Sequence, residues 1–477
     1  MKRAMMIAVA YVGVATGLHA QAVDRTRPPA LPPAPALRIP PAQTARLPNG
    51  LELVVVEMHE VPVVNLQLVV GAGSVRDPSD VTGLATFTAN MLQQGAGTRS
   101  ALEIADEIAY LGARFSTGAS YEYATASLSV PKRQWLPALD LVADVVLRPT
   151  FPDSEVTRQR DLRRTAILQY RDQPVSQANI AFPAIVFGAA HPYGRPTNGT
   201  DASTALLSQE RVRAFYEQYY RPNNARLLIV GDVTLAEARR VVLERFGRWA
   251  RGPVPAAASA AAPPPQPRSF SLVDKPGAAQ SVIRIGHVGI PRGSPDYAAI
   301  QVLNTILGGS FTSRLNMNLR ETHGYSYGAG SGFAARRLPG PFLAQASVVT
   351  SKTDSSLIEF MRELRRIRDE AVPDEELAKA RAYIILGLPG DFETTAGTAS
   401  QFLDLVINGL PLTWYTGYIR AVGAVTAADV QRVARQYINP DNFTIVVVGD
   451  RGQVEAGIRA LNEGPITLRD LWGAPVP

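Results

Sequence analysis

The chain has 477 residues, 46% of them hydrophobic, no cysteine and a formal charge of +6. That length exceeds one ordinary core and calls for at least two domains. The lack of cysteine excludes disulfides, thiolate metal sites and a lipidated cysteine. Without Lys2 and Arg3 the charge falls to +4, too weak a balance for nucleic acid as the primary partner.

In chain order, Lys2 and Arg3 form a basic head before an apolar run from Met5 to Gly17 that is short for a membrane span. Small residues then offer cleavage after Ala20 or Ala22, so residues 1–22 read as a signal peptide. The mature chain is expected to be periplasmic or otherwise exported, with an uncleaved N-terminal anchor as the alternative. No later stretch is long and apolar enough for stable membrane insertion. Residues 23–45 contain Pro28-Pro29, Pro32-Pro33, Pro35 and Pro40-Pro41 and read as an extended tether.

A first domain is expected over 46–250. Leu51 to Val56 and Val63 to Val70 are strand-like runs around a turn at His59 to Pro62. Ser100-Ala-Leu-Glu103 is a capping box for a helix whose Ile104, Ile108 and Leu111 share a face. Ile229-Val230 is a buried strand after a Pro-Asn turn. Residues 251–268, rich in proline and alanine, read as a linker. A second domain follows over 269–465, with a helix from Tyr297 to Leu307 ended by Gly308-Gly309 and a strand at Ile445 to Val448. Residues 466–477 are expected as a tail.

The two domains are a duplication. Gln218-Tyr-Tyr-Arg-Pro-Asn-Asn-Ala-Arg-Leu-Leu-Ile-Val-Gly-Asp232 returns 218 residues later as Gln436-Tyr-Ile-Asn-Pro-Asp-Asn-Phe-Thr-Ile-Val-Val-Val-Gly-Asp450. Pro152-Asp-Ser-Glu-Val-Thr-Arg-Gln-Arg160 returns 221 residues later as Pro373-Asp-Glu-Glu-Leu-Ala-Lys-Ala-Arg381. So long a period means duplicated domains, because solenoid repeats are about 20–50 residues. The fold class is α/β (α+β): two homologous domains, each a mixed sheet packed with helices.

Four motifs give this pattern a family resemblance: Leu47-Pro-Asn-Gly50, Gly83-Leu-Ala-Thr-Phe-Thr-Ala-Asn-Met-Leu92, His191-Pro-Tyr-Gly194 with the segment from Tyr216 to Asp232, and Leu319-Arg-Glu-Thr-His-Gly-Tyr-Ser-Tyr327. Together they resemble the zinc metallopeptidase family M16, which includes pitrilysin, insulysin and the mitochondrial processing peptidases. The resemblance runs from about residue 45 to about residue 460.

In active members, the helix matching 83–92 carries His-x-x-Glu-His, two zinc ligands on one face and the carboxylate that activates bound water. The resemblance puts Thr86 and Asn90 at the histidine positions and Ala89 at the glutamate. The third ligand, roughly 75 residues downstream in the family, falls near Ala166, and no carboxylate lies between Asp161 and Asp172. None of His19, His59, His191, His287 and His323 lies four residues from another. No intrinsic metal or cofactor is therefore expected.

The resemblance carries a further pair, an arginine and a tyrosine seven residues later, onto Arg320 and Tyr327. In the family these face the zinc helix across the cavity; a tyrosine hydroxyl can donate to an oxyanion, and a guanidinium can hold a carbonyl or carboxylate. The alternative is a helix-capping Arg320, or one paired with Glu321, beside a Tyr327 packed in a glycine-rich strand. The strand near Phe115 to Val130 corresponds to one that pairs with extended peptide in the family, and an ordinary sheet strand is the alternative.

The expected function is the zinc-lacking subunit of a heterodimeric peptidase acting on peptides or small unfolded proteins, with zinc on a partner carrying His-x-x-Glu-His. An inert peptide-binding or scaffold protein of the same fold is the alternative, and a relocated metal site is a third.

Overall fold

The computed structural model describes residues 37–256 and 260–477. The expected signal peptide and most of the proline-rich tether lie outside these residues. Among the described residues no helix is long and apolar enough to cross a membrane.

Two six-stranded sheets organise the described residues. The first contains β1 (Ala42–Arg46), β2 (Glu52–Glu57), β3 (Val63–Val70), β6 (Arg114–Ala119), β7 (Ala124–Pro131) and β8 (Ala225–Gly231); β4 (Gly95–Ala96) and β5 (Arg99–Ser100) form a separate small ribbon. The second contains β9 (Ser269–Asp274), β10 (Gln280–Val288), β11 (Ser326–Phe333), β12 (Pro341–Val349), β13 (Thr444–Gly449) and β14 (Ile466–Arg469). The strand orders are β1-β2-β8-β3-β7-β6 and β14-β9-β13-β10-β12-β11. The parallel β2–β8 pair answers the parallel β9–β13 pair, and every other corresponding inner pair is antiparallel in both sheets. The sequence repeat is thus a repeat of sheet topology, with β6 and β11 as matching edge strands.

The outermost strands on the other side break the symmetry. β1 runs antiparallel to β2, whereas β14 runs parallel to β9. Both correct sequence expectations: the stretch 23–45 does not stay a tether to its end, and 466–477 is not simply a tail. Ala42–Arg46 has no regular hydrophobic alternation, and Ile466–Arg469 alternates over only four residues, so pairing with the neighbouring strand's free backbone groups decides that both are strands.

Helix positions follow the sequence closely. Ser100 caps the helix Ala101–Tyr110 through a complete capping box with Glu103. The helix Tyr297–Leu307 ends at Gly308.

The halves are joined by exchanged helices. Pro174–Phe187 belongs to the first half by sequence, yet its Ala178, Ala181 and Phe182 pack with Val273, Val282, Val446 and Val448 of the second sheet. Conversely, Thr395–Asn408 of the second half lies on β3 and β8 of the first sheet. There Asn65 Nδ2 donates to Thr395 Oγ1 at 2.7 Å, and Arg226 Nη1 donates to Val406 O at 2.6 Å. Each sheet therefore depends on the other half for part of its cover.

This exchange predicts coupled stability. Phe182→Ala empties a buried site at the junction and should cost about 3–5 kcal/mol. Chemical denaturation followed by tryptophan fluorescence should show one transition shifted to lower denaturant, because Trp135 and Trp414 lie in different halves.

Candidate functional site

The helix Leu84–Met91 lies under the first sheet with seven of its eight residues buried. Its start requires Gly83, which has φ +90° and lies so close to Asn198 and Gly199 that a side chain would collide with their backbone. Asp77 holds this end: its carboxylate accepts from the Gly83 and Ala85 amides, both at 2.7 Å. Burial pushes the Asp77 carboxyl up to about 7, against the opposing pull of those two amides and of Arg163 and Arg195.

The three expected positions have different surroundings. Ala89 is fully buried and Asn90 is exposed. The Thr86 hydroxyl donates to Thr197 O at 2.6 Å and accepts from Arg163 Nη1 at 3.1 Å. Arg163 Nη1 also donates to Gly83 O at 2.8 Å, and the guanidinium sits 5.0 Å from the centre of the Phe87 ring. Burial lowers the Arg163 guanidinium to about 10, which leaves it charged at neutral pH. Arg163 and Ala166 lie three residues apart on the helix Asp153–Tyr170, hence on one face.

These residues do not fit zinc. A hydroxyl committed to two partners, an alanine, an amide and a second alanine offer no His₂Glu set, and a cation occupies the neighbourhood. Among the described residues no three or more His, Cys, Asp or Glu side chains gather where they could hold a metal ion.

Arg320 and Tyr327 are set by an unusual turn. Arg314–Asn316 is α-helical, and the chain then widens into a π-helix over Met317–Thr322, where the His323 amide reaches back to Asn318 O. Buried groups anchor it from behind: Asn318 Nδ2 donates to Glu359 Oε2 at 2.8 Å and to Glu363 Oε1 at 2.9 Å. Leu319 is fully buried, which turns Arg320 outward. The Arg320 guanidinium lies 4.8 Å from the Phe311 ring centre, and its Nε is 3.3 Å from Glu321. The expected alternative pairing with Glu321 is thus present, together with an aromatic contact that the sequence pattern did not suggest.

Tyr327 follows at the start of β11, where the pairing with β12 slips between Ser326 and Ala329. This bulge releases Tyr327 from the ladder, and the residue is 90% exposed. Phe311 is also exposed, at 60%.

The two matching edge strands differ in accessibility. On β11, Ser331 N donates to Gly308 O and Ala329 N donates to Asn316 Oδ1, so neighbouring chain covers part of the edge. Among the described residues no backbone hydrogen bond from a segment other than β7 reaches β6. Gln93 Nε2, just past the degenerate helix, donates to Thr117 Oγ1 on β6 at 2.9 Å.

The His191-Pro-Tyr-Gly194 motif serves the junction. Tyr193 hydrogen-bonds Glu122 at the tip of the β6–β7 hairpin, and Arg336 from the β11–β12 loop lies 4.0 Å and 4.7 Å from the ring centres of Tyr121 and Tyr193. His191 accepts from the Tyr193 amide and stacks on Phe187, while burial lowers its pKa.

Asp77 also makes stability depend on pH. With its folded pKa raised above the ordinary carboxylate value, the folded chain keeps a proton between about pH 4 and pH 7 that the unfolded chain releases. Its contribution therefore falls as pH rises through that window. Asp77→Asn should flatten this part of the profile, measured by denaturation at pH 5 and pH 7.

Comparison with known proteins agrees with the geometry. The family profile described as insulinase (peptidase family M16) matches residues 53–201, and the profile described as the peptidase M16 inactive domain matches residues 207–384. An uncharacterized zinc protease of Mycobacterium tuberculosis is 27% identical over 424 residues, which are 88% of this chain and 96% of that protein. The uncharacterized zinc protease YmxG of Bacillus subtilis is 23% identical over 410 residues, 85% of this chain and 98% of its own. A crystal structure of a peptidase M16 inactive domain from Pseudomonas fluorescens aligns with a TM-score of 0.81 and 27% identity over 86% of this chain and 98% of that one. The periplasmic protease PqqL of Escherichia coli shares the fold, with a TM-score of 0.72 and 16% identity over 88% of this chain and 48% of that one. With two duplicated domains, adjoining matches to both family profiles and a structural likeness over most of its length, the chain belongs to peptidase family M16.

Proposed function

We propose that this chain is the zinc-lacking subunit of a two-chain M16 peptidase, acting with a partner that carries His-x-x-Glu-His and the zinc. The observation that carries this reading is the exposure of Tyr327 and Arg320 on the same chain whose metal helix has lost its ligands. A 90% exposed tyrosine on a bulged strand, and seven residues before it an arginine turned outward by a π-helix, contribute little to this chain's own core. Facing a partner's zinc site, the Tyr327 hydroxyl would donate to the oxyanion formed at the peptide carbonyl. The Arg320 guanidinium would hold a carbonyl or carboxylate of the substrate. Phe311 and Glu321 restrict where that guanidinium points.

The open edge of β6 supports a peptide as the ligand, since an extended backbone can pair with it. The same feature favours the second reading, a catalytically inert peptide-binding protein. In that case peptides bind the isolated chain, and Arg320 and Tyr327 are dispensable. The basic head, apolar run and small residues of the N-terminus support export, to the periplasm or beyond. N-terminal sequencing of the secreted protein should find a new terminus after Ala20 or Ala22.

The main test is reconstitution. The purified chain alone should leave peptides uncleaved, and adding the His-x-x-Glu-His partner should produce activity above that of the partner alone. Arg320→Ala and Tyr327→Phe should each lower that gain by about 10-fold or more, the scale of losing one oxyanion or charge-assisted contact. Phe311→Leu, which keeps bulk and removes the π face, should cost a few-fold, in line with about 0.5–1 kcal/mol for an exposed cation–π contact. Full stimulation by both Arg320→Ala and Tyr327→Phe would sink the proposal.

A further inference from the structure

The space beside Thr86 is not an empty relic of a metal site. Zinc in such a site would tie the helix Leu84–Met91 to the helix that supplies the third ligand. In this chain the corresponding helices are still tied, by a different cation. Arg163 extends from Asp153–Tyr170, one turn before Ala166, and reaches the start of Leu84–Met91. Its Nη1 donates to Gly83 O at 2.8 Å and to Thr86 Oγ1 at 3.1 Å, and its plane lies near the Phe87 ring at 5.0 Å. Thr86 closes the arrangement by donating to Thr197 O at 2.6 Å. Asp77, bound to the Gly83 and Ala85 amides, supplies a carboxyl on the same helix end.

We infer that Arg163 is a built-in replacement for the metal: its guanidinium joins the two helices that zinc would have joined, and its position excludes a divalent cation from that place. A fixed positive charge repels a second cation at close range. The loss of zinc is then more than the loss of its ligands. Restoring the ligands alone leaves the place taken. A lysine cannot take over, because its shorter side chain ends in a point charge without the planar guanidinium face that lies over the Phe87 ring.

Two measurements test this inference, and neither depends on peptidase activity. The first is hydrogen exchange of the Leu84–Met91 amides in the otherwise native chain. Arg163→Leu and Arg163→Lys should both speed exchange there by at least about 10-fold while leaving the β10 and β13 amides as in the wild type. Unchanged exchange in both variants would overturn the replacement role, and so would full rescue by lysine. The second is metal binding in a chain given Thr86→His, Ala89→Glu, Asn90→His and Ala166→Glu together. With Arg163 kept, this chain should bind no stoichiometric zinc and show no tetrahedral cobalt spectrum. Adding Arg163→Ala should bring both. Zinc binding while Arg163 remains, or no binding after its removal, would each refute the exclusion.

Discussion

The structure rests on a shared cover. The apolar face of the second sheet, with Val273, Val282, Val446 and Val448, is closed by Ala178, Ala181 and Phe182 on a helix that the chain makes before it reaches that sheet. The first sheet receives the helix Thr395–Asn408 from the far end of the chain in return. Because burial of apolar area dominates folding, neither half can shed its borrowed helix without exposing core. An interface of this kind is unlike the small polar contacts that allow domains to move independently. The Arg336 stack on Tyr121 and Tyr193 adds a second connection between the hairpin tips.

The shared cover also packs the elements that carry the exposed groups of the proposed site. A tyrosine or arginine on a flexible loop loses orientation entropy whenever it is used, whereas one held by packed structure does not. Arg320 stands on a π-turn pinned by Asn318 to two buried carboxylates, and Tyr327 stands on a bulge in a sheet that the exchanged helix covers. Both π-turns and bulges insert one extra residue into a regular element and redirect a side chain. The chain uses one of each in close succession, the π-turn over Met317–Thr322 and the bulge between Ser326 and Ala329.

The first half shows the opposite trend. The helix Leu84–Met91 is held by its buried residues, its glycine start and the Asp77 contact, and none of these needs a bound metal. Thr86 and Arg163 form a hydrogen-bonded junction between two helices. The neighbouring strand β6 has an open edge, so the surface beside this junction offers backbone groups for pairing.

Much of this was legible in the sequence, for identifiable reasons. The duplication was visible because Pro-Asn and Pro-Asp turns before β-branched runs recur in register, and these residues make the same local structure wherever they occur. Gly83 and the residues after it set the register of the degenerate helix, because only glycine suits that start. The absence of zinc ligands at Thr86, Ala89 and Asn90 is a property of side-chain type and needs no coordinates. What tertiary structure alone decided depends on residues distant in sequence. β1 and β14 became strands because existing sheet edges had unpaired backbone groups; the pattern of Ala42–Arg46 does not announce it, and the alternation of Ile466–Arg469 is only four residues long. Arg163 reads in sequence as one more charge on a polar helix; only its three-residue spacing from Ala166 hints at the face it shares. Its contacts with Gly83, Thr86 and Phe87 span about 80 residues of chain and exist because two helices cross there. The same holds for Phe311 beside Arg320 and for the exchanged helices. Local chemistry specified the elements and the missing ligands, while burial of shared apolar surface determined which elements meet.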